Sequence, residues 1–223
     1  MNRYLKILLS VPRSIWFNLR FLPPAQAVRL PVWIAPNVRI KNLCRGGIIL
    51  SGQSRPGLIK IGYHEADGVD VCGVHTILNI DKRGKLVISD DAHIGQGAVI
   101  RIYSDAVVTL GRNFAISGTT SIIASKSITF GDDVQLSWNT LIMDSDAHQI
   151  FDPDGNLINP PEEIHIGNKV WIAANTTILK KSVIGNNVVV AANSLVNKPM
   201  ACDNCIVGGQ PAKVVKAIGH FSI

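Results

Sequence analysis

The fold is decided by residues 164–196, which read IHIGNKVWIAANTTILKKSVIGNNVVVAANSLV. An aliphatic residue recurs here at every sixth position without a miss, and the series consists of Ile166, Ile172, Ile178, Ile184, Val190 and Val196. A period of six matches neither an α-helix nor the alternation of a half-buried strand. It places one inward-pointing residue on each short flat segment, and three segments make a coil of about 18 residues.

The same period extends toward the amino terminus. It runs through Ile88, Ile94 and Ile100, through Leu110, Ile116, Ile122 and Ile128, and through Phe130, Leu136 and Ile142. Corner motifs containing Gly, Asn or Asp, which tolerate tight and often left-handed backbone, follow Ile61, Ile88, Leu110, Phe130, Ile166 and Ile184. We therefore expect an all-β fold, a parallel β-helix whose stacked coils bury their aliphatic residues against each other.

The spacing of the corners predicts an interruption. From Ile88 onward the steps are 22, 20, 36 and 18 residues, so the 36-residue step equals two coil lengths and one of these coils should carry an excursion. Turn and loop chemistry at 152–155 (DPDG) and 159–161 (NPP) locates it. The predicted organisation is a basic segment with a short helix at 1–37, a β-helix at 38–200 with a loop insertion at 145–163, and a tail at 201–223.

Charge is distributed unevenly along the chain. Residues 1–60 hold ten Lys or Arg and no Asp or Glu, so the net charge of +6 is +10 followed by −4. A basic first quarter suits nucleotide phosphates, a lipid-linked glycan or an anionic membrane face, and a solvated surface without a partner is an equal alternative. Ile15, Trp16, Leu19 and Leu22 have helical spacing and predict an amphipathic helix, whose apolar side we expect to pack on the protein's own body.

Neither a membrane span nor a metal site is expected. The apolar stretch from Leu5 to Leu22 is broken by Lys6, Pro12, Arg13 and Arg20, which disfavours a spanning helix or a signal core. A cytoplasmic location follows, with peripheral association at the inner membrane face as an open alternative. Cys202 and Cys205 have the spacing of a metal half-site, but no second pair is nearby, so we expect four reduced thiols.

Over roughly residues 58–216, the sequence resembles the hexapeptide-repeat acyltransferases, in particular the maltose, galactoside and capsular or O-antigen polysaccharide O-acetyltransferases. The motifs that carry the resemblance are IHIGNKVWIA at 164–173, ILKK at 178–181, VVVAANS at 188–194 and VGGQPAK at 207–213. The resemblance implies a left-handed coil sense and a homotrimer with active sites at subunit boundaries. It also implies acetyl-CoA as co-substrate, with no metal and no nucleic acid.

The resemblance also implies which residue acts as general base. In the family the catalytic histidine follows the last aliphatic residue before the insertion, and His148 occupies that place after Ile142. A neutral imidazole is suited to take the proton of a weakly acidic sugar hydroxyl. Asp146, favoured over Asp144, or a backbone carbonyl would orient the ring. By similarity Asn139 and Trp171 line the acceptor pocket.

Coenzyme A should lie along a groove between subunits. The matching positions are Ala174, Ala192, Asn197 and Lys198, with Lys213 and Lys216 able to pair with the nucleotide phosphates. The small residues would let the pantetheine chain approach the backbone. Ala173 and Asn193 depart from the family pattern, because relatives commonly carry glycine there.

The expected function is acetyl-CoA-dependent O-acetylation of a sugar or a cell-surface polysaccharide precursor. An amino-sugar N-acetyltransferase is the nearest alternative, because an amine acceptor needs less help from a base. A zinc-dependent γ-type carbonic anhydrase would pair two histidines five residues apart, but position 153 is proline. A non-catalytic scaffold remains an alternative, because a solenoid by itself specifies no chemistry.

Overall fold

The computed structural model describes residues 3–63, 73–200 and 202–222, with side chains from residue 8 onward. Within these ranges the chain forms helices α1 (Arg3–Phe21) and α2 (Pro24–Ala27) and strands numbered β1–β22 in chain order. The strands form three sheets in which hydrogen-bonded neighbours are three strands apart in sequence, except at the end of the first sheet, where β19, β21 and β22 are neighbours. Each turn of the chain thus contributes one strand to each sheet, as a three-sided β-helix requires.

The first sheet has nine strands. They are β1 (Val32–Ile34), β4 (Ile59–Tyr63), β7 (Ala92–Gly95), β10 (Phe114–Ile116), β13 (Val134–Leu136), β16 (Val170–Ile172), β19 (Val188–Val190), β21 (Cys205–Gly209) and β22 (Ala212–Ala217). Its strands are parallel except β22, which folds back antiparallel on β21.

The second and third sheets have seven and six strands. The second contains β2 (Val38–Lys41), β5 (Thr76–Ile80), β8 (Val99–Ile102), β11 (Ser121–Ala124), β14 (Leu141–Met143), β17 (Thr177–Leu179) and β20 (Leu195–Val196). The third contains β3 (Ile48–Leu50), β6 (Lys85–Ile88), β9 (Val107–Leu110), β12 (Ser127–Phe130), β15 (Ile164–Ile166) and β18 (Val183–Ile184). The fold is the predicted left-handed parallel β-helix.

The six-residue period corresponds to the core. Each of the sixteen aliphatic or aromatic anchors predicted between Ile88 and Val196 is at most 3% exposed. The predicted corners also form: Asn113, Asp133 and Asn187 have φ of +54°, +57° and +54°. These are left-handed conformations that Asn and Asp adopt at lower cost than most residues.

One prediction about the coils is wrong. Val134 pairs directly with Val170, 36 residues later, whereas Val170 pairs with Val188, 18 residues later. The 36-residue step is therefore one coil rather than two. Residues 144–163 leave at the corner between the second and third sheets, so they add length without adding a layer.

The β-helix is also longer than predicted at both ends. β1 at Val32–Ile34 and β21 at Cys205–Gly209 both pair into the first sheet, so the coils extend beyond 38–200. The sequence did not reveal these strands because they stand outside the regular six-residue series. No helix in the described part of the chain is long and apolar enough to cross a membrane.

The amino-terminal helix is present, but its orientation corrects the prediction. Ile15, Trp16 and Leu19 are 39%, 50% and 52% exposed, and only Leu22 of the predicted apolar side is buried. The buried face instead contains Phe17, Phe21 and the polar residues Ser10, Ser14 and Asn18. Asn18 Nδ2 donates to the Val32 carbonyl (2.7 Å) and Asn18 Oδ1 accepts from the Val32 amide (3.1 Å).

Hydrogen bonding explains this orientation. β1 lies at the edge of the first sheet, where its outer backbone groups would have no strand partner. The Asn18 side chain bonds both the amide and the carbonyl of Val32, and the Ser14 hydroxyl accepts from the Ile34 amide at 3.0 Å. The polar side chains of α1 therefore make the hydrogen bonds to β1 that a neighbouring strand would otherwise make. As a result, the predicted apolar side of the helix faces solvent.

The cysteine prediction is wrong for one pair. Cys202 and Cys205 form a disulfide, with their Cα atoms 6.4 Å apart. The turn before β21 brings them together, with Asn204 in a left-handed conformation at φ +52°. Cys44 is free and exposed, and Cys72 lies outside the described residues.

Candidate active site

The insertion at residues 144–163 is folded. It begins after β14 and ends at β15, and the Glu162 amide donates to the Asp144 carbonyl at 2.9 Å, which closes its base. Phe151 and Leu157 form an antiparallel bridge, and the Gly155 amide donates to the Asp152 carbonyl at 3.0 Å. The predicted turn chemistry at 152–155 therefore makes the tip of a short hairpin.

Asn159 holds the insertion around His148. Its Nδ2 donates to the His148 carbonyl (2.8 Å) and to Asp146 Oδ2 (2.9 Å), and its Oδ1 accepts from the Ile150 amide (2.7 Å). One side chain thus holds the backbone that follows the histidine and the Asp146 side chain that precedes it. Sequence reasoning missed this role, because Asn159 stands before two prolines and resembles an ordinary loop residue.

His148 itself is exposed at the surface of the insertion. The preceding residue, Ala147, has φ of +62°, a left-handed conformation that costs a non-glycine residue roughly 1–2 kcal/mol. Such strain persists only where the surroundings hold it, and it is typical of functional sites. The contacts of Asn159 hold it here, and they set the direction in which the His148 side chain leaves the backbone.

Within the described residues, the hydrogen bonds of Asp146 go to residues other than His148, the partner that the sequence favoured. Its Oδ2 accepts from Lys180 Nζ at 2.6 Å and from Asn159 Nδ2 at 2.9 Å. Hydrogen bonding from Lys180, followed by that from Asn159, lowers the pKa of the Asp146 carboxyl. Asp146 is therefore an ionised anchor that ties the insertion to β17, because Lys180 follows that strand directly.

Asp144 is not the orienting carboxylate either. It is fully buried, and its two oxygens accept the backbone amides of Ser125 (2.6 Å) and Lys126 (2.8 Å) in the preceding coil. Burial raises the pKa of this carboxyl, and the backbone hydrogen bonds oppose the shift. Asp144 is thus a corner residue that connects two layers, an alternative that the sequence had left open.

The acceptor candidates lie elsewhere on the coil. Trp171 is on β16, 39% exposed, and its Nε1 donates to the Ser137 hydroxyl at 3.0 Å. Asn139 is exposed at the corner between the first and second sheets, with φ of +56°, and it accepts from the Thr119 hydroxyl at 2.5 Å. Neither residue is placed beside His148 in the same chain, because His148 leaves from the next corner.

The cofactor candidates divide between two edges of the solenoid. Ala174 and Ala192 lie at the same corner as Asn139, where the Asn193 amide donates to the Ala174 carbonyl at 3.0 Å. Asn197 and Lys198 are exposed directly after β20, at the corner from which the insertion leaves. Lys213 and Lys216 are exposed on β22.

Of the two positions where relatives commonly carry glycine, Ala173 and Asn193, the backbone conformation explains the residue at Asn193. Asn193 takes φ of +59°, so it adopts the left-handed conformation for which glycine is the usual choice. Its carbonyl accepts from Gln210 Nε2 at 2.7 Å, which ties the carboxy-terminal hairpin to this corner. Ala173 is 8% exposed and lies inside the coil.

We call the corner with Asn139, Ala174 and Ala192 the small-residue edge, and the corner with His148, Lys180 and Lys198 the histidine edge. The two edges are consecutive corners of a triangular coil, separated by the second sheet. Within the described ranges, no three His, Cys, Asp or Glu side chains cluster as metal ligands would.

A family comparison matches this part of the solenoid. Residues 163–198 match the bacterial transferase hexapeptide, as six repeats. This part of the chain is therefore similar to the hexapeptide repeats of bacterial transferases. The matched residues include Trp171, Ala174 and Ala192, and they start at the end of the insertion.

Two curated relatives have names that describe O-acetyl transfer. The chain is 35% identical to a polysialic acid O-acetyltransferase of Neisseria meningitidis over 43% of its own length and 45% of that protein. It is 29% identical to WbbJ of Escherichia coli, named for O-acetyl transfer in lipopolysaccharide biosynthesis, over 61% of this chain and 74% of that protein. The chain therefore spans less than half of the first relative's length.

Among solved structures, a galactoside acetyltransferase in complex with coenzyme A is 24% identical, with a TM-score of 0.49. The match covers 60% of this chain and 64% of that chain.

Proposed function

We propose that this protein transfers the acetyl group of acetyl-CoA to a hydroxyl of a sugar or polysaccharide precursor, with His148 as general base. The observation that carries the proposal is the position of His148: an exposed residue on a folded insertion, where Asn159 bonds the His148 carbonyl, the Ile150 amide and the Asp146 carboxylate. The names of the two curated relatives favour an oxygen acceptor in a cell-surface glycan.

The chemistry requires a base because a sugar hydroxyl is too weakly acidic to attack a thioester at neutral pH. The His148 imidazole takes the hydroxyl proton as the oxygen attacks the acetyl carbonyl. The carbon–sulfur bond then breaks, and the imidazolium returns the proton to the departing CoA thiolate. No acyl-enzyme is needed, and the histidine ends in its starting state.

We assign the orientation of the His148 ring to a hydrogen bond with a backbone carbonyl. Because Asp146 is engaged by Lys180 and Asn159, a backbone carbonyl is the better partner for the second ring nitrogen, which would fix the tautomer. Lys180 and Asp146 then contribute by holding the insertion against β17.

The proposed active unit is a homotrimer, in which the histidine edge of one protomer faces the small-residue edge of its neighbour. Ala174 and Ala192 leave room for the pantetheine chain close to the backbone, and Asn197 and Lys198 stand on the opposite wall. Lys213 and Lys216 are free to pair with the nucleotide phosphates. Asn139 and Trp171 line the acceptor side of the same boundary.

The acceptor is proposed to be a large or lipid-linked glycan precursor. The first 60 residues carry ten basic and no acidic side chains, which favours an anionic partner. Peripheral association with the cytoplasmic membrane face would bring such an enzyme to a lipid-linked substrate.

An acceptor screen with acetyl-CoA and thiol detection tests the function, with wild type, His148→Ala and the control His165→Ala compared. His165 is also exposed and pairs with Glu163 at 3.2 Å, but it lies outside the proposed chemistry. We expect kcat of His148→Ala to fall by roughly 10²–10⁴-fold, with the KM for acetyl-CoA little changed and His165→Ala at wild-type activity.

A folded His148→Ala trimer that turns over as fast as wild type would contradict the mechanism. Transfer to amino sugars alone would replace the proposal with an N-acetyltransferase. Absence of thermal stabilisation by millimolar acetyl-CoA would favour a scaffold without catalysis.

A further inference from the structure

The outward side of α1 carries a continuous apolar surface. Leu8, Leu9, Val11, Ile15, Trp16 and Leu19 are all between 39% and 68% exposed, and we call them the outer face of α1. They are six of the eighteen exposed large hydrophobic side chains in the described part of the chain. A third of these exposed side chains are thus concentrated in twelve consecutive residues, and such clustering is typical of an interaction site.

The helix cannot rotate to bury this face. Ser14 and Asn18 hydrogen-bond β1 from the opposite side, and Phe17 and Phe21 are buried there with ring centroids 5.0 Å apart. Turning the outer face inward would break these bonds and leave the amides of Val32 and Ile34 without partners. The exposure is therefore built into the fold.

Basic side chains surround the outer face. Arg20 is exposed, and its guanidinium lies 5.9 Å from the centroid of the Phe21 ring. Arg45 Nη2 donates to the Leu19 carbonyl at 2.8 Å, so this guanidinium lies at the carboxy-terminal end of the face. α1, α2 and β1–β3 contain no acidic residue, and the first Asp or Glu in the sequence is Glu65.

A groove of about 450 Å³ adjoins the face, lined by Pro12, Arg13, Trp16 and Ile40. Arg13 donates to the Val38 carbonyl, which holds its guanidinium beside β2. Arg39 and Lys41 are exposed on either side of Ile40. The groove therefore combines apolar walls with a cationic rim.

We infer that the outer face of α1 docks on an anionic lipid bilayer, with Trp16 and Leu19 inserted among the headgroups and the surrounding arginines paired with lipid phosphates. Apolar residues on one side of a helix and clustered cations beside them are the two requirements for interfacial binding. Trp is enriched at this depth because its ring is amphipathic.

The charge pattern argues against a two-fold contact of this face with the same face of a second copy of the chain. A two-fold contact through this face would place the arginines of one copy against those of the other, with no acidic residue in α1, α2 or β1–β3 to compensate. The inference concerns where the protein binds, and it does not depend on acetyl transfer as its reaction.

Sedimentation of the full chain with vesicles tests the inference. We expect binding to phosphatidylcholine vesicles that contain phosphatidylglycerol, weak binding to phosphatidylcholine alone, and release at high salt. The double variant Trp16→Ser/Leu19→Ser should bind at least roughly tenfold more weakly. The matched control is Val214→Ser/Val215→Ser, which removes two side chains that are 55% and 65% exposed on β22.

Thermal melts and light scattering on each variant show whether it is folded and whether its oligomeric state has changed. Failure of the folded wild type to bind anionic vesicles would overturn the inference, as would equal loss in the control variant. If Trp16→Ser/Leu19→Ser dissociates the oligomer and leaves vesicle binding intact, the outer face is a subunit interface and the inference is wrong. Loss of acetyl transfer without loss of vesicle binding would bear only on the proposed reaction.

Discussion

The side chain of Asn159 makes three contacts that no neighbouring residue of the insertion could replace. An amide group supplies a donor and an acceptor at once, so Asn159 can accept from the Ile150 amide while it donates to the His148 carbonyl and to Asp146. Alanine would leave the left-handed Ala147 without this support. Asn159 is therefore a positioning residue, acting through the backbone of His148.

Replacement of Asn159 should reduce the chemical step more than substrate binding. We expect Asn159→Ala to lower kcat by roughly 10–100-fold through misplacement of the base, with the KM for acetyl-CoA within about twofold of wild type. Asn156→Ala is the matched control, because Asn156 bonds only Asp152 at the tip of the same hairpin. Equal effects of the two variants, or a rise in KM alone, would assign Asn159 a purely structural role.

The site could be predicted from the sequence only in part. Repeat and resemblance located His148 at the break in the solenoid, and the structure places it on a folded insertion. They could not assign roles to the two carboxylates. Asp144 and Asp146 are only two positions apart in the sequence, but in the structure Asp144 is fully buried and Asp146 is exposed. The partner of Asp146 is Lys180, 34 residues away, a contact that depends on coil stacking and has no local signal.

At the scale of elements, hydrophobic periodicity predicted the strands and failed for the helix. Strand anchors point inward because three sheets enclose a single core, and a six-residue period therefore has one interpretation. The face that α1 buries depends instead on β1, an edge strand whose amides need acceptors. Ser14 and Asn18 meet that need, and a rule that assigns apolar residues to the core cannot anticipate it.

The inward-pointing aliphatic residues of neighbouring coils stack on one another, so a charged side chain at any one of these positions should destabilise the fold. Ile178 is fully buried on β17 between Ile142 and Val196 of the neighbouring coils. We expect Ile178→Asp to lower the free energy of unfolding by at least ~4 kcal/mol, because no cation is available to pair with a carboxylate inside the coil. Chemical denaturation monitored by circular dichroism measures the change.

The control for this variant is Val183→Asp, which places the same side chain at a 42% exposed position on β18. Its cost should stay within about 1 kcal/mol, since surface substitutions away from special features have small effects. Similar destabilisation by the two variants would indicate that the coils are held together by strand propensity and not by burial of the anchors.

At the scale of the whole molecule, the three-sided coil separates the two groups of candidate residues. The insertion with His148 follows β14 of the second sheet, whereas Ala174 and Ala192 precede the strands of that sheet. A trimer with cyclic symmetry juxtaposes unlike edges of neighbouring protomers at every boundary. In the proposed trimer, one chain would supply His148 to one site and the small-residue edge to another.

Mixed trimers test this division directly. His148→Ala removes the base, and Ala192→Trp fills the small-residue edge, so each variant alone should be inactive. When the two are co-expressed with different tags and purified through both, every trimer contains both chains. Going around such a ring, one boundary of three joins an intact histidine edge to an intact small-residue edge. We expect about one third of wild-type activity. No activity in the mixed trimers, despite wild type paired with His148→Ala retaining roughly half, would mean that each site is built within a single chain.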